Sequence, residues 1–126
     1  MIDRLDHLVL TVRDTRATVA FYSDALGMEE VTFGAGRTAL RFGDQKLNLH
    51  EAGREIDPKA ALPTPGSADL CFVTSLPLDD AVDRLRSAGI DILLGPVGRT
   101  EATGPIQSVY VRDPDGNLVE ISTYVS

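Results

Sequence analysis

The feature that most constrains this chain is that it sets out one order of elements twice. "LDHLVLTV" (residues 5–12) is leucine-rich and β-branched and reads as a buried strand. "RDTRATVAFYSDALG" follows with Val19, Tyr22 and Leu26 on one helical stripe, Thr15 as a cap and Gly27 as the closing residue. "MEEVTFG", "RTALRFG" and "KLNLHE" are then three short strands parted by Gly or Gly-Asp turns. In the second half "ADLCFVT" is a strand and "LPLDDAVDRLRSAG" a helix, with Pro77 near its start, Gly89 at its end, and Leu78, Ala81, Val82 and Leu85 at i, i+3, i+4 and i+7. "IDILLGP", "SVYVRD" and "NLVEIS" supply three more strands, and the two closing glycines lie 62 residues apart.

A strand, a helix and three strands make a sheet with one face covered by its own helix and the other bare, so each unit needs something to pack on or enclose. The expected fold is α+β, a single domain over residues 1–126 built from two βαβββ modules at about 4–50 and 68–124, with a cleft on the bare faces. Between them "EAGREIDPKAALPTPGS" (51–67) holds three prolines and no clear periodicity, and reads as a linker lying over that cleft.

At 126 residues there is no room for a second full-sized domain. A hydrophobic content of 43% with 25% charged residues is ordinary for a soluble protein, and no apolar run approaches the ~20 residues that span a bilayer. The start "MIDRLDHLVL" goes directly into a strand pattern, without the apolar segment and cleavage site of a signal peptide, so a cytoplasmic location is expected. A net charge of −7 disfavours nucleic acid and anionic membranes, leaving a small molecule or another protein as partner. Cys71 is the only cysteine, which excludes an intrachain disulfide, and its apolar run "DLCFV" reads as core.

Against this background Glu120 stands out. In "DPDGNLVEIS" Val119 and Ile121 share one face of a strand, so Glu120 points the other way, to water or to a cavity that wants its charge. His7 alternates in the same manner with Leu8 and Leu10. Each alone reads as an ordinary polar strand residue, but one sits on the first strand of the first unit and the other on the last strand of the second. Imidazole and carboxylate converging in a cleft suit a divalent metal. The 62-residue offset sets Asp69 in the place of His7, and aligning Leu47 and Leu49 with Val119 and Ile121 sets Asn48 in the place of Glu120, with His50 on the same face. That donor set is mixed and mostly hard oxygen, favouring Mn, Fe(II), Mg or Zn over copper. Ser108 and Tyr110 alternate on a neighbouring strand and would offer hydroxyls to a substrate if that face lines the cleft. Arg99 lies in a Gly-rich stretch, read as a loop, and would hold an anionic group, although the stretch lacks the order of a phosphate-binding loop.

With these residues assembled, the chain resembles the vicinal oxygen chelate superfamily, which includes glyoxalase I, extradiol dioxygenases, fosfomycin-resistance enzymes and bleomycin-resistance proteins. "LDHLVLTVRDTRATVAFYSDALGMEEV", "FGDQKLNLHE" and "GPIQSVYVRDPDGNLVEIS" carry the resemblance, and within the superfamily the chain is most similar to the subgroup named glyoxalase domain-containing protein 5. The resemblance implies two βαβββ modules forming a metal-binding cleft, with ligands from the first and last strands of each. His7 and Glu120 fall on two usual ligand slots, whereas Asp69 replaces a usual histidine and Asn48 stands where glyoxalase I has glutamate. Those departures argue against ordinary glyoxalase I activity, and His50 is placed to restore a nitrogen ligand.

The implied function is a metal-dependent lyase, isomerase or dioxygenase that chelates two adjacent oxygens of a small molecule on a divalent ion (Fe, Mn, Zn, Ni or Mg), with His7, His50, Asp69 and Glu120 as ligands. Glu120 and Tyr110 are the catalytic candidates, and Arg99, Ser108 and Asn48 the substrate-binding ones. The alternative is a metal-free protein that sequesters a drug, as bleomycin-resistance proteins do; the 6% aromatic content with no tryptophan leans towards the enzyme. A homodimer is expected under either reading.

Overall fold

The computed structural model describes residues 1–125. It is α+β, and divides into two compact units, Met1–Ser67 and Ala68–Ser126. The first contains β1 (His7–Val12), α1 (Thr15–Val19), β2 (Glu29–Phe33), β3 (Arg37–Phe42) and β4 (Gln45–Glu51). The second contains β5 (Asp69–Val73), α2 (Leu78–Ser87), β6 (Leu94–Glu101), β7 (Gly104–Arg112) and β8 (Leu118–Tyr124). Each forms a four-stranded mixed sheet, in the orders β1-β4-β3-β2 and β5-β8-β7-β6. In both, the first strand runs parallel to the last and the remaining pairs are antiparallel. This is the βαβββ module twice.

In the first unit Leu10, Val12, Leu40, Leu47 and Leu49 are buried together with Val19, Phe21, Tyr22 and Ala25 of the helical segment. That segment departs from the expected single α-helix. Asp14, not Thr15, is its cap, its carboxylate accepting from the backbone N–H groups of Arg16 and Ala17. After Val19 the backbone widens into a π-helical turn, Ala20–Ala25, in which the Leu26 N–H reaches back to the Phe21 carbonyl. The wider turn buries Phe21 and Tyr22 side by side, their rings edge to face at 4.9 Å, while Leu26 of the expected stripe is only half-buried. Sequence periodicity assumes 3.6 residues per turn and misses such a change of pitch.

In the second unit α2 follows its pattern: Leu78, Ala81, Val82 and Leu85 are all buried, and the helix packs against β7. Leu85 is 1% exposed, a burial that contributes about 1.5–3 kcal/mol. Gly27 and Gly89 follow the two helical segments in left-handed backbone, at φ 84° and 76°.

Two expectations are corrected here. The stretch around Arg99 is not a loop: β6 begins only at Leu94 and runs to Glu101, paired with β7. A register shift between Leu94 and Val97 accommodates Gly95 and Pro96, so a strand carries the glycines that suggested a loop. Cys71 is exposed and outside the core, because β5 alternates and its half-buried side is that of Leu70 and Phe72.

Candidate functional site

Each sheet has a helix-bearing face and an opposite face, and the chemistry-bearing residues lie on the opposite one. In the first unit the ladder sets His7 beside Lys46, Val9 beside Asn48 and Thr11 beside His50. His7 and Val9 on the outer strand are exposed, whereas Asn48 and His50 on the inner strand are buried, His50 being 6% exposed. Among the described residues, the Oδ1 of Asn48 and the Nε2 of His50 have no hydrogen-bond partner. Burial, and secondarily the positive charge of Arg37, pushes the imidazole of His50 below its ordinary pKa, with Glu55 opposing more weakly. His50 is therefore a neutral imidazole with an uncommitted nitrogen.

His7 is held differently. Its Nδ1 meets the Asp6 carboxylate at 2.8 Å, which leaves Nε2 as its outward nitrogen. The hydrogen bond to His7, with smaller contributions from the positive charges of His7, Lys46 and Arg4, outweighs partial desolvation and lowers the Asp6 pKa. A carboxylate behind an imidazole is the usual support for a metal-ligating histidine. His7 and His50 share a face but stand four residues apart along the ladder.

In the second unit the turn before β8 is built by Asp113. Its Oδ1 accepts from the backbone N–H groups of Asp115 and Asn117, both at 2.9 Å, and its Oδ2 from the Asn117 amide at 2.8 Å. The Asn117 Oδ1 accepts from the Ala68 N–H at 2.8 Å, tying this turn to the start of β5. The turn thereby sets the register that places Glu120 beside Tyr110 on β7 and Cys71 on β5. Asp69, exposed at the start of β5, lies on the same face two residues before Cys71.

Glu120 is 8% exposed and does not face water. Its Oε2 accepts from the Ser108 hydroxyl at 2.6 Å and from the Ser122 hydroxyl at 3.3 Å, and the two hydroxyls meet at 2.7 Å. Cys71 Sγ lies 3.4 Å from the Ser122 hydroxyl. Ser108 gives its one proton to the carboxylate, and the single Ser122 proton is shared between the Ser108 oxygen and Oε2. Ser108 is thus committed to Glu120. Tyr110 is half-buried, and the exposed Arg99 has its guanidinium 5.8 Å from the Tyr110 ring centroid while donating to the Gly98 carbonyl.

The donors can be tested against a divalent ion by their own state. In the first unit a buried imidazole with an unpaired nitrogen and a histidine backed by a carboxylate, and in the second, taken by itself, a buried carboxylate held by hydroxyls, are each donors of the kind a divalent ion takes. Among the described residues, no three His, Cys, Asp or Glu side chains are already gathered into a metal-holding group. Four contributors went unnoticed in the sequence: Asp6, Thr11, Lys59 and Ser122. Ser122 was legible, since it follows Glu120 by two and shares its face. Lys59 was not, because the segment carrying it has no period to read.

The second half of the linker stretch belongs to this geometry as well. Pro58, Lys59, Ala60 and Pro63 line a pocket of about 230 Å³ together with Val9, Thr11 and His50.

The sequence pattern of the Glyoxalase/Bleomycin resistance protein/Dioxygenase superfamily matches residues 4–121. The chain is 60% identical over 125 residues to Virulence protein STM3117 of Salmonella typhimurium, covering 99% of this chain and 87% of that protein. The crystal structure of that protein superposes with a TM-score of 0.97 over 99% of both chains. Glyoxalase domain-containing protein RDO1 of Mycosarcoma maydis is 56% identical over 120 residues, 95% of this chain and 68% of that protein. Metallothiol transferase FosB of Shouchella clausii is 29% identical over 124 residues, 98% of this chain and 82% of that protein. Duplicated βαβββ modules, the polar residues on their helix-free faces and these matches agree: the chain belongs to the glyoxalase/bleomycin resistance protein/dioxygenase superfamily, that of the vicinal oxygen chelate proteins.

Proposed function

We propose that this chain is a metal-dependent enzyme acting on a small molecule with two adjacent oxygens, as a lyase, isomerase or dioxygenase. The observation that carries this reading is His50: buried, neutral, and with a ring nitrogen that has no hydrogen-bond partner among the described residues. A buried polar atom left without a partner costs about 1–3 kcal/mol, and such a cost is accounted for when a ligand completes the bond. That one relative is a metallothiol transferase supports a divalent ion as that ligand.

His50 would be the nitrogen donor and Glu120 the carboxylate donor, with His7 and Asp69 as further donors. When bound, the ion supplies a Lewis acid that stabilises negative charge developing on the substrate oxygens. Ser108 and Ser122 hold the Glu120 carboxylate in one orientation, so that it serves as a donor or, when released, takes a proton from substrate. Tyr110, next to Glu120 in the ladder, offers a phenol to the same molecule, and Arg99 and Asn48 offer an anion contact and an amide.

A second reading has its own support. The small pocket beside His50 would equally serve a metal-free protein that sequesters a small molecule. Elemental analysis of chelator-free protein, beside His50→Ala and Glu120→Ala, separates the two. About one Fe, Mn, Zn, Ni or Mg per chain, lost in both variants, supports the enzyme; no metal after reconstitution with each ion moves the assignment to sequestration.

A further inference from the structure

The pocket under residues 58–63 has a chemistry of its own. Its walls are Val9, Pro58, Ala60 and Pro63, which are apolar and short. Three of its lining residues carry polar side chains: Thr11, His50 and Lys59. Thr11 and His50 are ladder partners, so both stand at one level of the sheet, while Lys59 comes from the covering segment. At about 230 Å³ the pocket lies below the ~300–1,000 Å³ of sites for drug-sized ligands and suits a smaller molecule.

The charges around it select among occupants. Lys59 pairs with Glu55 at 3.8 Å, a long contact that leaves ammonium protons available. Glu55 is in turn tied to the Gly53 N–H, so this carboxylate is already engaged twice. Arg37 adds a second positive charge on the His50 side. A cation would meet two like charges there. A neutral molecule would leave Lys59 unused.

We propose that this pocket is the subsite for the carboxylate end of a small hydroxy or keto acid. Lys59 pairs with the carboxylate, the apolar walls enclose a short aliphatic group, and Thr11 holds the oxygen next to the carboxylate beside the His50 imidazole, whose open nitrogen is left to the ion. The inference deepens the functional reading above, resting on its small oxygenated substrate while adding the charge and size of that substrate. It also assigns the segment 58–63 to specificity, with Lys59 as the residue that sets it.

The test uses lactate as probe, with lactamide and propane-1,2-diol as neutral counterparts of the same shape. Binding is followed by the ring proton signals of His50, distinguished from those of His7 by a His7→Ala sample, in chelator-treated protein and again with one equivalent of Zn²⁺. Lactate is expected to move the His50 signals and to bind about tenfold more tightly than lactamide, the size of one charge-assisted hydrogen bond. Lys59→Gln should erase that preference by weakening lactate alone, and Thr11→Val should weaken both ligands. Equal affinity for lactate and lactamide in both metal states, or a preference unchanged by Lys59→Gln, overturns the proposal. A preference that persists in protein shown to take up no metal upholds the subsite and removes only the metal. Metal uptake without any preference for lactate does the reverse.

Discussion

Ser108 donates its hydroxyl to the Oε2 of Glu120 at 2.6 Å, both side chains being buried on the helix-free face of the second sheet. A hydrogen bond to a carboxylate contributes about 1.5–3 kcal/mol, more than a neutral pair, because removing the donor leaves part of a buried charge unsolvated. Ser108→Ala is therefore expected to lower unfolding free energy by about that amount, measured by urea denaturation at neutral pH. If Glu120 is a metal donor, the same variant should weaken metal uptake by roughly 10–100-fold, as loss of an orienting partner does. A variant as stable as the parent would show that the hydroxyl is not carrying the carboxylate.

His50 makes stability depend on pH in a stated direction. Its folded pKa lies below the ordinary histidine value near 6.5, so the unfolded chain takes up this proton more readily than the folded one. By linkage, stability is fully present above about pH 6.5 and falls as pH drops through the window below it, until the folded group also protonates. Thermal unfolding between pH 7.5 and 5 should show this loss, and His50→Gln should flatten it. An equal slope in the variant would assign the dependence to other groups.

How much of this was legible in the sequence depends on whether a residue's role follows from local period. Glu120 was legible because Val119 and Ile121 flank it at period two, and the correspondence of Asn48 with Glu120 follows from the same alternation in β4. The ladders bear out the duplication within each unit: Val9 pairs with Asn48 two residues after His7, and Cys71 pairs with Glu120 two residues after Asp69. Cys71 was misjudged because "DLCFV" looks apolar throughout, and only the ladder shows which side of β5 is bare. Arg99 was misjudged because glycines near a strand bulge have the composition of a loop. The burial of His50 had no local signal at all, since residues 58–63, which form the pocket with it, lie in an aperiodic segment.

Cys71 should react slowly despite its exposure. Desolvation of the sulfur raises its pKa above the ordinary thiol value; the hydrogen bond with Ser122 opposes this in part, and the nearby carboxylates of Glu120 and Glu101 each add a smaller upward push. The thiolate is the reacting form, so modification by a disulfide reagent at pH 7.5 should be slower than that of a free thiol and should climb on approaching alkaline pH. Glu120→Gln removes one negative charge and should speed the reaction. Rapid labelling of the parent protein at neutral pH would contradict the raised pKa.

The bulge of β6 gives the sharpest structural test. Gly95 has φ +110°, and a Cβ built on it would lie 2.5 Å from the Ser108 carbonyl oxygen and 3.1 Å from the Val109 Cα, both of them backbone atoms that cannot turn aside. Gly98, three residues on in the same strand, has open space where its Cβ would be. Gly95→Ala combines an unfavourable backbone region with a clash against β7, an expected cost of about 2–4 kcal/mol, whereas Gly98→Ala should change stability little. Because the clash falls on the backbone of Ser108, the first substitution should also disturb the hydroxyl that holds Glu120. Paired denaturation and ligand-binding measurements on the two variants decide this: equal stability would place the strain elsewhere, and lost stability with unchanged binding would show that Ser108 keeps its bond when β7 shifts.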